Sequence, residues 1–311
     1  MSLVSFVIPC YRSELTLPAV VEEIKTTMEG LKQYTYEIVL VNDCSPDDTW
    51  GAIKKLVSEN DNITGINFAK NFGQHGGLMA GIREAQGDYV VCLDDDGQTP
   101  ANEVGKLLAK LDEGYDAVYA SYAHKKHSLF RNFGTFMNEK MTEKLLGKPK
   151  ELFVSSYFGV KRFVVEDMIR YENAYPYVIG LVLRATKNIA NVEVNHRARE
   201  IGKSGYTFSK LLNLWINGFT AFSVKPLRIA TGIGAGCAIL GFLYGIYTII
   251  KKIVLPEDVI PLGYSALMTA VLFIGGMLML MLGLIGEYIG RMYISMNSSP
   301  QYVIKEKIKH E

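Results

Sequence analysis

At 311 residues the chain has room for one large domain or two modest ones. Its 33 Lys and Arg nearly cancel its 32 Asp and Glu, leaving a net charge of +1, so overall charge gives no argument for nucleic-acid binding. The four cysteines, Cys10, Cys44, Cys92 and Cys237, contain no CxxC pair, which argues against a zinc or disulfide framework and predicts small buried thiols in a reducing compartment.

The start, Met1-Ser2-Leu3-Val4-Ser5-Phe6, lacks the basic opening and long apolar run of a signal peptide, so the N-terminal part is expected in the cytoplasm. In chain order, Val4–Ile8, Glu37–Val41, Ile63–Phe68 and Tyr89–Leu93 are apolar, β-branched runs that predict strands. Leu15–Leu31, Asp47–Ser58 and Gly76–Ala85 between them place apolar residues three or four apart and predict helices. Strands alternating with helices of this length predict an α/β fold with a parallel or mostly parallel sheet covered on both faces. Ligands of such sheets bind beyond the carboxyl ends of the strands. The residues there are polar and acidic: Pro9-Cys10-Tyr11-Arg12-Ser13-Glu14, then Asn42-Asp43-Cys44-Ser45-Pro46-Asp47-Asp48, then Asp94-Asp95-Asp96-Gly97-Gln98.

Beyond residue 224 the composition turns apolar. Ile229–Ile250 is an uncharged run of 22 residues and Val259–Gly286 one of 28, against about 20 needed to cross a bilayer. Lys225 and Arg228 precede the first run, and Arg291, Lys305, Lys307 and Lys309 follow the second, which favours both flanks in the cytoplasm despite Lys251 and Lys252 in the connection. Gly232/Gly236 and Gly241/Gly245 have small-xxx-small spacing, suited to close packing within a hairpin or between subunits of a homo-oligomer. Phe208, Leu211, Leu212, Trp215, Phe219 and Phe222 recur on one helical face, as in core packing or in a helix lying on the bilayer. The expected division is a catalytic domain over 1–205, an interfacial helix over 206–226, two transmembrane helices within 227–290 (about 229–250 and 262–286), and a cytoplasmic tail over 291–311.

Three consecutive strand-end carboxylates repel one another unless a cation or hydrogen bonds offset their charge. Mg2+ or Mn2+ takes oxygen ligands and completes its shell with substrate phosphates and water, so Asp94 and Asp96, with Gln98 as a neutral ligand, are metal candidates. The same turn reads as a helix start, with Thr99 as N-cap and Pro100 in the first turn, and both readings can hold. Asp43 reads either as an acceptor for a nucleobase or ribose hydroxyl or as a turn aspartate. No GxxxxGK[ST] loop or GxGxxG fingerprint occurs; Gly73, Gly76, Gly77 and Gly81 run GxxGGxxxG.

The motifs Val7-Ile8-Pro9-Cys10-Tyr11, Val41 through Thr49, Asn71-Phe72-Gly73-Gln74-His75, Gly87-Asp88 and Asp94 through Gln98 resemble those of family 2 glycosyltransferases of the GT-A fold. With Arg199 through Tyr206 and the two apolar runs, the chain resembles more narrowly the polyprenyl-phosphate branch, over its whole length. The resemblance implies that Pro9, Tyr11, Glu14 and Asp43 line a nucleotide pocket, with Asp95 on the same side. It implies that Asp94 lies near ribose and metal, that Asp96 and Gln98 meet the metal at the donor diphosphate, and that Lys203 lies on an acceptor loop. Three departures stand out. Cys44 replaces a usual glycine, Gly97 a usual leucine, and Phe153-Val154-Ser155-Ser156-Tyr157-Phe158-Gly159 lacks the usual acid and arginine, with Glu151 as the substitute carboxylate.

The implied partners are a nucleotide sugar, a UDP-hexose or UDP-HexNAc, a polyprenyl phosphate acceptor and a lipid bilayer. A lipid phosphate is largely ionised at neutral pH, so it needs no general base, unlike a hydroxyl acceptor. Bringing two anions together calls for cations, and Arg131, Arg199 and Lys203 are the candidates, with Lys125, Lys126 and Arg197 behind them. In-line attack inverts the anomeric carbon while the metal stabilises the departing diphosphate. His75 is expected as a loop residue near the nucleotide; His124, His127 and His196 have no metal-ligand spacing. Two alternatives remain: transfer to a hydroxyl of a glycolipid or saccharide, and a non-catalytic nucleotide-binding membrane subunit.

Overall fold

The computed structural model describes residues 1–122, 148–174, 176–195, 264–296 and 300–310, with isolated helical positions between 232 and 254. The chain forms two compact units, one of residues 1–215 with 298–311 and one of residues 216–297.

The first unit opens with β1 (Ser2–Cys10), α1 (Leu17–Gly30), β2 (Tyr34–Asn42), α2 (Thr49–Glu59), β3 (Ile63–Phe68), α3 (Gln74–Glu84) and β4 (Tyr89–Cys92). A single 3-10 turn, Ala101–Glu103, leads into α4 (Val104–Asp112). Then come β5 (Ala117–Tyr122), β6 (Phe158–Lys161), α5 (Arg162–Ile169), α6 (Val178–Ala185), β7 (Ile189–Val194) and β8 (Ile304–Lys309). The strands form one sheet in the order β7-β5-β6-β4-β1-β2-β3-β8. β1 is parallel to both β2 and β4, β2 to β3, and β5 to β7; β6 and β8 run antiparallel to their neighbours. The expected α/β sheet, mostly parallel, is therefore present.

Both faces are covered because the strands are apolar on both sides. Phe6, Ile8 and Leu40 face one layer, where Leu17, Val20, Val21 and Ile24 of α1 meet Leu107, Leu108 and Leu111 of α4. α3 covers the other face of β1 and β2 at close range. A methyl built on Gly77 would lie 3.0 Å from Pro9 Cβ, and one on Gly81 would lie 2.3 Å from Val7 Cγ1. The glycine-rich run thus serves helix–sheet approach, four residues apart on one face.

Two details differ from the sequence reading. Pro100 precedes the 3-10 turn and Thr99 is buried, so the helix after the acidic turn starts later, at Val104. The tail is part of the sheet: β8 pairs antiparallel with β3 from Thr64↔Lys309 to Phe68↔Ile304. Side chains secure that pairing. Trp50 Nε1 donates to Glu306, Phe68 stacks on Tyr302 at 5.3 Å, and Lys307 and Lys309 pair with Glu84 at 2.6 and 2.9 Å.

In the second unit, α7 (Tyr264–Met296) runs 33 residues, about 50 Å at 1.5 Å per residue. Its stretch Phe273–Gly290 is long and apolar enough to cross a membrane, and none of that stretch is buried. Within this unit a methyl on Gly234 would meet Met281 Cε at 2.5 Å. Gly232 and Gly236, the expected packing pair, have nothing within 4 Å among the described residues.

Candidate active site

From β1 the chain runs to β2 and β3 on one side, then returns to β4 on the other, so β1 and β4 form the topological switch point of the sheet. The acidic turn follows β4, beside the loop that follows β1. Gly97 sits at φ +70°, in the left-handed region that favours glycine. Asp96 closes the turn by accepting from Gln98 N at 3.1 Å.

The three carboxylates have different surroundings. Asp94 accepts from Gln74 Nε2 at 2.7 Å and from Ser156 Oγ, so α3 and the segment before β6 both fix it. Asp94 and Asp96 are partly exposed. Asp95 accepts from Tyr11 N at 2.8 Å. Burial first, and the charges of Asp94 and Asp96 in addition, push the Asp95 carboxyl up to about 6, against the opposing bond from Tyr11 N. Tyr122, ending β5, lies by the same charges; burial, then Asp94 and Asp96, raise its phenol to about 12.

The β1 and β2 loops are joined to each other. Arg12 N donates to Ser45 Oγ at 2.9 Å, Ser13 N to Thr49 Oγ1 at 3.0 Å and Glu14 N to Asp47 Oδ2 at 3.3 Å, while Asp48 N donates to Glu14 Oε2 at 3.2 Å. Arg12 and Cys44 both hold positive φ, 59° and 52°, which accounts for the usual glycine at the second position. Cys44 is exposed, whereas Cys10 and Cys92 are buried, so the expectation of buried thiols fails at Cys44.

The structure also locates the remaining sequence candidates. Tyr11 is 46% exposed at the cleft and Pro9 is buried under α3. The Asp43 carboxylate accepts from Phe72 N at 2.6 Å and Gly73 N at 2.8 Å, bracing the start of α3. Burial raises its pKa and those two bonds oppose the shift. His75 is not a loop residue: it lies in the first turn of α3, edge-on to Tyr177 at 5.3 Å, and its buried Nδ1 has no hydrogen-bond partner among the described residues. Burial lowers its pKa to about 4, so it is neutral. Arg131, Arg199 and Lys203, like Lys125, Lys126, Arg197, His124, His127 and His196, lie outside the described residues. Sequence reasoning assigned no role to Gln74, Ser156 or Tyr122; of these, Gln74 and Ser156 stand inside the quoted motifs.

Among the described residues no three His, Cys, Asp or Glu side chains come together as a metal cage. Two partly exposed carboxylates on one turn still suit Mg2+ or Mn2+, because such ions use one or two protein carboxylates and take their other ligands from phosphate and water. Asp94 and Asp96 fit that mode; Asp95 has an oxygen taken by Tyr11 N.

Residues 5–169 match glycosyl transferase family 2, and residues 225–292 match the GtrB C-terminal hairpin. Almost the whole chain is similar to undecaprenyl-phosphate 4-deoxy-4-formamido-L-arabinose transferases. The one from Shewanella sediminis is 30% identical over 98% of this chain and 92% of the relative. The one from Proteus mirabilis is 31% identical over 98% and 94%. Among solved structures, glucosyl-3-phosphoglycerate synthase from Mycobacterium tuberculosis, in complex with Mn2+ and UDP-glucose, shares the fold. Its TM-score is 0.53 at 17% identity, over 71% of this chain and 79% of that one. The switch-point cleft and its acidic turn therefore belong to a glycosyltransferase of the GT-A fold. More narrowly, the chain is a member of glycosyltransferase family 2 that carries a GtrB-type C-terminal hairpin.

Proposed function

We propose that the protein transfers a sugar from a nucleotide sugar, a UDP-hexose or UDP-HexNAc, to undecaprenyl phosphate at the cytoplasmic face of the membrane. Mg2+ or Mn2+ assists, and the anomeric configuration inverts. The observation that carries this reading is the switch-point placement of Asp94 and Asp96 beside Tyr11, in a chain similar end to end to transferases named for undecaprenyl phosphate. Those relatives also add a formamido-arabinose donor to the sugars worth testing.

Asp96 with Asp94 and Gln98 would hold the metal, which supplies charge stabilisation for the departing diphosphate. Tyr11 and Asp43 would border the nucleotide. The acceptor phosphate attacks as an anion, so no carboxylate of the turn need act as a base, and Arg131, Arg199 and Lys203 would offset the charge of the two anions. The bilayer reading rests on α7 together with β8. Because β7 and β8 belong to one sheet, a chain that leaves and rejoins that sheet crosses a membrane an even number of times. If α7 crosses once, Ile229–Ile250 makes the other crossing. The basic flanks of these segments support a cytoplasmic position for the sheet.

The test is an assay of the purified full chain with undecaprenyl phosphate, Mg2+ or Mn2+ and a panel of labelled UDP-sugars. Label in the lipid phase for at least one donor is expected, and its loss in Asp96→Ala. Label passing only to free saccharides or hydroxyl lipids would replace this reading with hydroxyl transfer.

A further inference from the structure

Four consecutive backbone N–H groups, from Tyr11 to Glu14, all donate to side-chain oxygens of other segments: Asp95, Ser45, Thr49 and Asp47. The segment lies between β1 and α1 and has no ladder of its own, and Arg12 within it holds a φ of +59°. A loop of that kind keeps one shape only while its borrowed acceptors stay in place. Two of the four acceptors, Ser45 and Asp47, come from the loop after β2, and Thr49 is the first residue of α2. The fourth, Asp95, comes from the acidic turn after β4, at 2.8 Å.

Asp95 is therefore the direct bond among these four between the loop carrying Tyr11 and the turn carrying Asp94 and Asp96. All three acids of the turn are partly exposed, and the middle one turns an oxygen back to the protein, where it accepts from Tyr11 N. A half-buried carboxylate oxygen without a hydrogen-bond partner is unfavourable, and the Tyr11 N–H supplies one.

We propose that Asp95 is a positioning residue: through the Tyr11 N–H it fixes the nucleotide loop relative to Asp94 and Asp96, and it contacts neither metal nor nucleotide. This rests on the proposed donor site at that cleft. What the function requires of Asp95 is an acceptor oxygen; its negative charge is dispensable.

The experiment measures UDP affinity and the Mn2+ midpoint for UDP binding, by titration calorimetry on the purified full chain. Asp95→Asn keeps an acceptor oxygen, Asp95→Ala removes it, and Asp96→Asn serves as the metal-side reference. Asp95→Asn should stay within about threefold of the unsubstituted protein in both quantities. Asp95→Ala should weaken UDP at least about tenfold, the effect of losing roughly one hydrogen bond's worth of order, with the Mn2+ midpoint at saturating UDP unchanged. Asp96→Asn should move the Mn2+ midpoint. An Asp95→Asn variant that raises the Mn2+ midpoint as Asp96→Asn does would overturn the proposal in favour of a ligand role. So would an Asp95→Ala variant with unaltered UDP affinity. If Asp95→Ala does not fold, Asp95→Asn alone decides, since a ligand would lose affinity there and a positioning residue would not. Failure of the unsubstituted protein to bind UDP with Mn2+ would instead remove the donor-site reading on which the proposal stands.

Discussion

Gln74 and Asp94 meet at 2.7 Å, joining the first residue of α3 to the acidic turn beyond β4. Since α3 rests on β1 and β2 through Gly77 and Gly81, the depth of that helix on the sheet sets how far Gln74 reaches. Helix packing and site geometry are thus one problem in this fold.

Gly81→Ala should accordingly disturb both. The added methyl would sit 2.3 Å from Val7 Cγ1 and 3.4 Å from Val41 Cγ2, and valine side chains turn aside poorly. A loss of about 1–3 kcal/mol is expected, seen as a lowered thermal midpoint with reduced transfer. Gly105→Ala is the control, because its methyl meets only Leu31 at 3.6 Å. There the better helix former should raise stability by about 0.5–1 kcal/mol. Equal midpoints for the two variants would contradict the close approach at Gly81.

Removing either hydrogen bond to Asp94 should cost rate more than stability. Ser156→Ala and Gln74→Ala are each expected to reduce transfer about tenfold, with thermal midpoints near that of the unsubstituted protein. Full activity in both variants would show that Asp94 needs neither partner.

His75 predicts a pH effect whose sign follows from its burial. Its pKa is lowered from 6.5 to about 4, so the unfolded chain takes up the proton first as the solution is acidified. Stability at neutral pH is untouched; it falls as pH drops from about 6.5 towards 4, by up to about 3 kcal/mol. Unfolding midpoints measured across that range should fall more steeply for the unsubstituted protein than for His75→Gln. Parallel curves would mean an imidazole in contact with water.

Glu84 tests the seam between α3 and β8. Burial acts to raise its carboxyl, and the bonds and charges of Lys307 and Lys309 outweigh that, leaving it below the ordinary value. Both lysines are about half exposed, so Glu84→Gln should cost only about 1 kcal/mol or less, and added salt should shrink the difference. A stop after Pro300 is harsher: β3 loses its neighbour and presents an open edge, and self-association on gel filtration is expected.

Much of this was legible in the sequence because the signals are local. The strands ending at Cys10, Asn42, Phe68 and Cys92 carry apolar runs that need no distant partner to be recognised, and the acidic turn follows the last of them. Roles that depend on distant residues were not legible. Asp43 reads as a nucleotide acceptor or as a turn aspartate, and neither reading points to the N–H groups of Phe72 and Gly73, about thirty positions on, that its oxygens take. Glu14 likewise accepts from Asp48 N, and Asp95 from Tyr11 N. Ile304–Lys309, as Ile-Lys-Glu-Lys-Ile-Lys, has the composition of a charged tail, and only pairing with β3 makes it a strand. The spacing of Gly77 and Gly81 did hold a usable signal, since two glycines four apart on a helix mark a close-packed face.

The pairing of β8 with β3 also sets an order of events during synthesis. β3 leaves the ribosome early, whereas its edge partner follows α7, so Thr64 waits for Lys309 until the apolar helix has been made. Until then the sheet has an uncovered flank, the condition under which nascent chains pair wrongly or recruit chaperones. Synthesis of α7 therefore precedes completion of the sheet, and the catalytic unit closes its β3 edge only after that apolar helix has left the ribosome.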